Sequence, residues 1–394
     1  MSEHPTPIDP TSLRGHYGAF LRPDRVLLTG HSHQAWPDVA RDGLLESFAD
    51  AAAHADDKWS RAGQAADAVR DAVVDQLGGH RDEIALGVNT HELITRFVSA
   101  LDLRRRPTIV TTDGEFHSMF RQLRRLSEEG VALRAVPSHP VATLAERVAA
   151  AVDDQTAGVM VSTVLFETTA VVPHLKAITE AAHRVGAAVL FDQYHAFNAL
   201  PQKLPELGPD PVFVTGGGYK YAQWGEEYCY LRVPRGTELR PVFTGWFSDF
   251  ANLGAMRDPS SPIRYGQTPA DRFTGSTYDP ASHYRARAVI RFFDAQGLGV
   301  DRLRATSLRQ TRRLIDRLAD RFELATPVDD AARGGFVSVR VAEAARVVAA
   351  MRERGVFVDA RGDLLRLGPA PYTTDDELDR GVDALIALAG SGAR

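Results

Sequence analysis

The chain has 394 residues, 46 basic against 51 acidic for a formal charge of −5, and 44% of its side chains are hydrophobic. That length exceeds one ordinary core and the composition is globular, so a folded protein of two or three domains is expected rather than a disordered one. The acidic balance opposes a general grip on nucleic acid or on an anionic membrane surface, and the lone Cys229 excludes an intrachain disulfide and a cysteine-based zinc cluster.

A reducing, cytoplasmic setting follows as an expectation from the single cysteine. The opening MSEHPTPIDPTSLRGHYGAF has neither a basic nor an apolar leader region, and nowhere do about 18 apolar residues run together, so neither a signal peptide nor a membrane span is expected. In chain order, helical patterns fall near Val39–Ala53 and Ala62–Leu77, the second stopping at Gly78-Gly79. From Asp82 onward short apolar runs alternate with amphipathic stretches. The runs are Ile84–Leu86, Thr108–Thr111, Ala132–Val136, Gly158–Val161, Ala187–Phe191 and Val212–Thr215. Between them lie Glu92–Leu101, Ser118–Glu128, Val141–Val152 and Leu175–Arg184. Continuous apolar runs mark strands buried on both faces, and their alternation with helices predicts an α/β domain with a mostly parallel central sheet. The irregular stretch Gly236–Thr277 is long for an interior loop, which marks it as functional or mobile. Helices at Pro280–Ala295 and Val300–Ala319, strands at Gly335–Val341 and Leu364–Leu367, and two further helices predict a smaller α+β domain. The expected division is 1–54 as an N-terminal segment packing on the small domain and the active site, 55–278 as the large domain and 279–394 as the small one.

Ligands of an open parallel sheet sit beyond the carboxyl ends of its strands, so polar residues there are the first candidates. Asp192 ends the run in AAVLFDQYHAF, where a carboxylate keeps a heterocyclic nitrogen protonated or simply caps the next turn. Lys220 follows the next run behind three glycines, in PVFVTGGGYKY. The glycines suggest close backbone approach to a ligand or positive φ, and a lysine among apolar neighbours loses its charge and becomes an amine nucleophile. An Asp and a Lys at successive strand ends, 28 residues apart, point together to pyridoxal 5′-phosphate (PLP). The glycine run matches neither a Walker loop nor GxGxxG. Asn89-Thr90-His91 opens an amphipathic helix whose start suits a phosphate, although Thr90 serves equally as a plain N-cap.

The segments NTHE at 89–92, EFHS at 115–118, FDQYHAF at 191–197, GGGYK at 216–220 and LRLGPAPY at 365–372 resemble class V PLP enzymes, most of all kynureninases, over about Gly30 to Asp376. The resemblance implies fold type I, the aspartate aminotransferase-like architecture. It implies that Lys220 bonds the PLP aldehyde, Asp192 contacts the ring nitrogen and His195 lies beside the ring. Thr90, His91 and Tyr219 would hold the phosphate, Phe116 would stack on the cofactor face, and Thr168 falls where the family places a contacting Ser or Thr. Arg366 resembles the arginine that clamps a substrate α-carboxylate; its planar fork suits that task, and a surface ion pair is the alternative. Trp246 and Ser276-Thr277 match segments that reach a neighbouring subunit's cofactor, which implies a homodimer with shared sites; Trp246 as ordinary core stays open. The chain has LLTGHSHQAWP at 27–37 where kynureninases carry an Asn-Gly-Asn-Ser-Leu-Gly-like segment, so His31, His33 and Trp36 are candidates for a different substrate pocket. No metal site is expected from that HSH pair, and Cys229 in YCYLRV is read as core packing.

By the resemblance, the expected activity is hydrolytic Cβ–Cγ cleavage of an α-amino acid with release of alanine. Transamination, β-elimination and epimerisation are the alternatives, and a non-catalytic PLP-binding protein is a third class.

Overall fold

A computed structural model describes residues 5–254 and 259–389. Among the described residues twelve strands occur in chain order: β1 Val26–Leu27, β2 Ile84–Gly87, β3 Thr108–Thr112, β4 Ala132–Val136, β5 Thr156–Ser162, β6 Ala188–Asp192, β7 Phe213–Gly217, β8 Cys229–Arg232, β9 Val337–Arg340, β10 Val356–Phe357, β11 Asp359–Arg361 and β12 Leu364–Leu367. Seven form the central sheet in the order β2-β8-β7-β6-β5-β3-β4. The ladder from β7 to β4 is parallel, whereas β8 runs antiparallel to both β2 and β7. The all-apolar expectation holds for β3, β5 and β7, buried throughout, and fails for β4, whose edge position leaves most of it exposed or half-buried.

Local sequence explains the helix that faces the site. Asn89 caps Thr90–Ser99 by accepting from Glu92 N at 2.9 Å, so Thr90 is the first helical residue and not the cap. Leu93, Ile94, Phe97 and Val98 recur on one face and are buried against the sheet, each worth about 1.5–3 kcal/mol relative to exposure. Lys58–Leu77 ends at Gly78, whose φ of +84° stops the helix as its sequence position suggests.

The smaller sheet, β11-β12-β9, carries its own core of Val337, Val339, Leu365, Leu367, Met351 and Leu378. The N-terminal segment packs on the same core through Val26 and Leu28, with β1 and β10 forming a separate parallel pair and Gly30 N donating to Gly368 O. The expected boundary at 279 differs from the packing: Ala281–Gln296 lies against the helices Val39–His54 and Lys58–Leu77 and buries Ala286, Val289 and Phe292 in the large core. Its apolar face, not its place in the chain, assigns it there. Among the described residues no helix is long and apolar enough to cross a membrane.

Candidate active site

The parallel strands and β2 end along one edge of the sheet, and a cavity of about 350 Å³ opens there. Asp192, the last residue of β6, accepts from Tyr194 N at 2.8 Å and is buried. Beyond β7, the loop returns on itself: Gly218 N donates to Tyr228 O at 3.0 Å and Trp224 N donates to Gly218 O at 2.9 Å. Lys220 is thereby held inside. Its Nζ lies 2.7 Å from His195 Nε2, 4.7 Å from the Tyr194 ring centroid and 5.2 Å from that of Phe116.

The three glycines before Lys220 have a different reason from the one expected. None has positive φ. A Cβ on Gly216 would fall 2.6 Å from Tyr230 Oη, on Gly217 2.7 Å from Cys229 Sγ, and on Gly218 2.0 Å from the Trp224 ring. They admit neighbouring side chains behind the loop.

Burial is the main influence on the titrating groups. It lowers the proton affinity of Lys220, aided by Arg366 and opposed by Asp192, and it raises that of the Asp192 carboxyl, opposed by Tyr194 N and Lys220. His195 is pushed well below the ordinary histidine range by burial and by Lys220. A neutral imidazole accepting at Nε2 carries its hydrogen on Nδ1, which is buried without a partner.

Thr90, Phe116, Asp192, His195, Tyr219 and Lys220 all line the cavity. Cys229 lines it too; the thiol is buried in the core, as expected, but one side reaches the site, 3.7 Å from Tyr194 Oη. Other candidates lie apart. His91 points outward from the same helix and is exposed. Thr168 is buried and accepts from Ala170 N. Trp246 Nε1 donates to Thr277 Oγ1 at 3.0 Å, and with Ser276 they sit on an exposed surface. Trp36 stacks against Arg285, whose guanidinium carbon is 4.8 Å from its ring. His33 sits at the rim, 3.8 Å from Glu226, which lines the cavity. His31 is fully buried, donates Nε2 to Asp359 at 2.8 Å and does not line the cavity. Burial holds its imidazole near a pKa of about 4. Arg366, 2% exposed, is not a surface ion pair: its Nε and Nη2 grip Asp359 at 2.9 and 2.6 Å and its Nη1 donates to Phe166 O at 2.7 Å. Among the described residues no three metal-ligating side chains gather.

Three residues escaped the sequence reading. Ser162 ends β5 opposite Asp192 and lines the cavity; the strand-end rule that found Asp192 finds it too. Behind it, Glu115 accepts from Ser162 Oγ at 2.5 Å, Ser162 N at 3.0 Å and Thr112 Oγ1 at 2.6 Å. Asp359 is the third.

The donor set fits PLP. A helix start with Asn89 and Thr90 offers N–H groups to a phosphate, the buried carboxylate of Asp192 suits a protonated pyridine nitrogen, Phe116 offers an aromatic face, and Lys220 is an amine kept nucleophilic by burial.

The Kynureninase C-terminal domain family matches residues 303–385. A kynureninase of Geobacillus thermodenitrificans is 28% identical over 307 residues, covering 74% of this chain and 69% of its own. An isopenicillin N epimerase of Streptomyces clavuligerus is 29% identical over 341 residues, covering 82% and 84%. Among solved structures, a lysine-to-alanine variant of C-DES with glycine covalently linked to its PLP cofactor superposes with a TM-score of 0.81 at 16% identity, over 95% of this chain and 99% of that one. With the Lys220–Asp192 arrangement standing on the sheet edge that such a fold provides, this chain has the fold type I architecture and resembles kynureninases and other class V PLP-dependent enzymes.

Proposed function

We propose that the protein binds an α-amino acid over Lys220 and hydrolyses its Cβ–Cγ bond, adding water at a γ-carbonyl to give alanine and a carboxylic acid. The observation that carries this reading is the buried Lys220 amine, in one cavity with His195, Asp192 and Phe116. PLP, when bound, supplies an electron sink for the pair left at the substrate's α-carbon. Asp192 would keep a proton on the ring nitrogen of bound PLP. Lys220, whose ammonium burial disfavours, takes the α-proton at Nζ and returns a proton later. His195, 2.7 Å away, orients that amine. Phe116 and Tyr194 present aromatic rings to that amine at 5.2 and 4.7 Å.

Epimerisation is the second reading, favoured by the epimerase relative's wider coverage of this chain. Incubating holoenzyme with L-kynurenine and 3-hydroxykynurenine distinguishes the two. Release of alanine with an anthranilate supports hydrolysis, and α-hydrogen exchange in heavy water without cleavage supports epimerisation. Lys220→Ala abolishes the visible absorption of bound PLP that resists dialysis; a variant that keeps the wild-type spectrum refutes the attachment site.

We further propose a homodimer in which Trp246, Ser276 and Thr277 of one protomer complete its partner's site. Their exposure and their place outside the cavity of their own chain support it.

A further inference from the structure

Arg366, the side chain expected to receive a substrate carboxylate, already holds one. Asp359 stands opposite it in the β11-β12 register and fills both Nε and Nη2, while Phe166 O takes Nη1. His31 Nε2 donates to the same Asp359 oxygen as Arg366 Nε. Three N–H donors from two buried side chains therefore converge on one carboxylate, a built anion site. Phe336 links it to the cavity, whose lining does not include it: the Arg366 guanidinium carbon is 5.6 Å from the Phe336 ring, and that ring is 5.9 Å from the His195 ring. Phe166, whose carbonyl fixes the guanidinium, lines the cavity.

The donors and the occupant differ in freedom. Arg366 and His31 are locked by burial at 2% and 0% exposure. The Asp359 side chain is 21% exposed and has a second cation in reach, Arg361, whose Nη1 is 3.7 Å from its Oδ2 and whose side chain is 36% exposed. An anion arriving from the solvent side can thus displace Asp359 toward Arg361 without moving the three donors.

We propose that Asp359 is a specificity-determining residue, an internal carboxylate that the α-carboxylate of the incoming amino acid must replace on Arg366 and His31, with Arg361 receiving the displaced side chain. This rests on the reading that an α-amino acid binds at Lys220. The exchange makes carboxylate binding a competition, so a monoanionic amino acid gains little net affinity from Arg366 unless its remaining groups also bind. Selectivity then falls on the side chain, against the many small amino acids that carry the same carboxylate.

The test compares L-alanine with ethylamine, which keeps the amine and lacks the carboxylate, by titrating the cofactor absorbance of wild type, Asp359→Asn and Arg361→Gln. Removing the competing charge tightens L-alanine by about tenfold in Asp359→Asn, the size of one charge-assisted contact, and leaves ethylamine unchanged. Arg361→Gln weakens L-alanine alone. Equal affinity of wild type and Asp359→Asn for L-alanine, no binding of it to either, or a parallel change for ethylamine overturns the proposal. A second measurement needs no cofactor. In apoprotein of Asp359→Ala, where the side chain's space is vacated, millimolar acetate raises the melting temperature above its effect on wild type, and the same concentration of chloride does not. Loss of the cofactor spectrum with acetate rescue intact would indict the PLP reading; rescue absent, with a normal spectrum, rejects the exchange.

Discussion

Glu115 shows how much a single buried carboxyl is asked to do. It sits against Ser162 and Thr112 with no cation beside it among the described residues, and burial raises its pKa from 4.5 to about 7, only partly offset by those donors. A carboxyl whose folded pKa exceeds its unfolded one takes up a proton on folding, so its contribution to stability is best at low pH, declines as pH rises past 4.5 and is fully lost above 7. Glu115→Gln removes that slope. Urea unfolding of the apoprotein at pH 5 and pH 8 gives a smaller loss for the variant than for wild type, by about 3 kcal/mol; equal losses refute the assignment. Because Ser162 is paired with Asp192 and shares the cavity with it, Glu115 positions the strand end that faces the cofactor site rather than touching the chemistry. Asp359 stands in the same relation to Arg366. Neither was legible in the sequence, because each acquires its meaning from a neighbour brought alongside by register, Ser162 by β5 and Arg366 by β12.

The loop after β7 is the element on which the site depends. Ala at Gly218 would put a methyl 2.0 Å from the Trp224 ring while both backbone bonds of Gly218 hold the turn closed. Gly218→Ala is expected to cost about 1–3 kcal/mol as overpacking and to lower PLP retention. Gly63→Ala, exposed in the Lys58–Leu77 helix with open space around it, is expected to gain about 0.5–1 kcal/mol. Thermal melts and cofactor absorbance of the pair check both signs; a neutral Gly218→Ala contradicts the packing account. The strands were readable because burial on both faces leaves an uninterrupted apolar run, and Lys220 and Asp192 were readable because they stand directly past such runs. Strand direction was not readable. CYLR in β8 is as apolar as its parallel neighbours, and nothing in an apolar run records which way it points. The three glycines stand out in the sequence but their reason does not, since the rings that need their space come from Trp224, Tyr194 and Tyr230 further along or earlier in the chain.

The whole molecule carries an apolar surface that its own fold leaves uncovered. Val242, Phe243, Trp246, Phe250, Leu253 and Ile263 are 40–76% exposed, all from the irregular stretch between β8 and the Ala281–Gln296 helix. Exposed apolar side chains gathered on one stretch suit an association surface, and the two-fold interface of the proposed homodimer would cover them on both copies at once. Sedimentation equilibrium is expected to give twice the 43.1 kDa chain mass. Phe243→Glu with Phe250→Glu is expected to give monomers that release PLP more readily; a dimer unaffected by both changes rules out this face. The order of the central sheet has a consequence for synthesis. The turn at Asn89 and the loop at Lys220 are separated by one strand, β8, which leaves the ribosome after both. Until residues 229–232 emerge, the first hundred residues lack the ladder that fixes them beside the lysine. A growing chain therefore has no complete place to capture its vitamin, and loading must wait for the second half of translation.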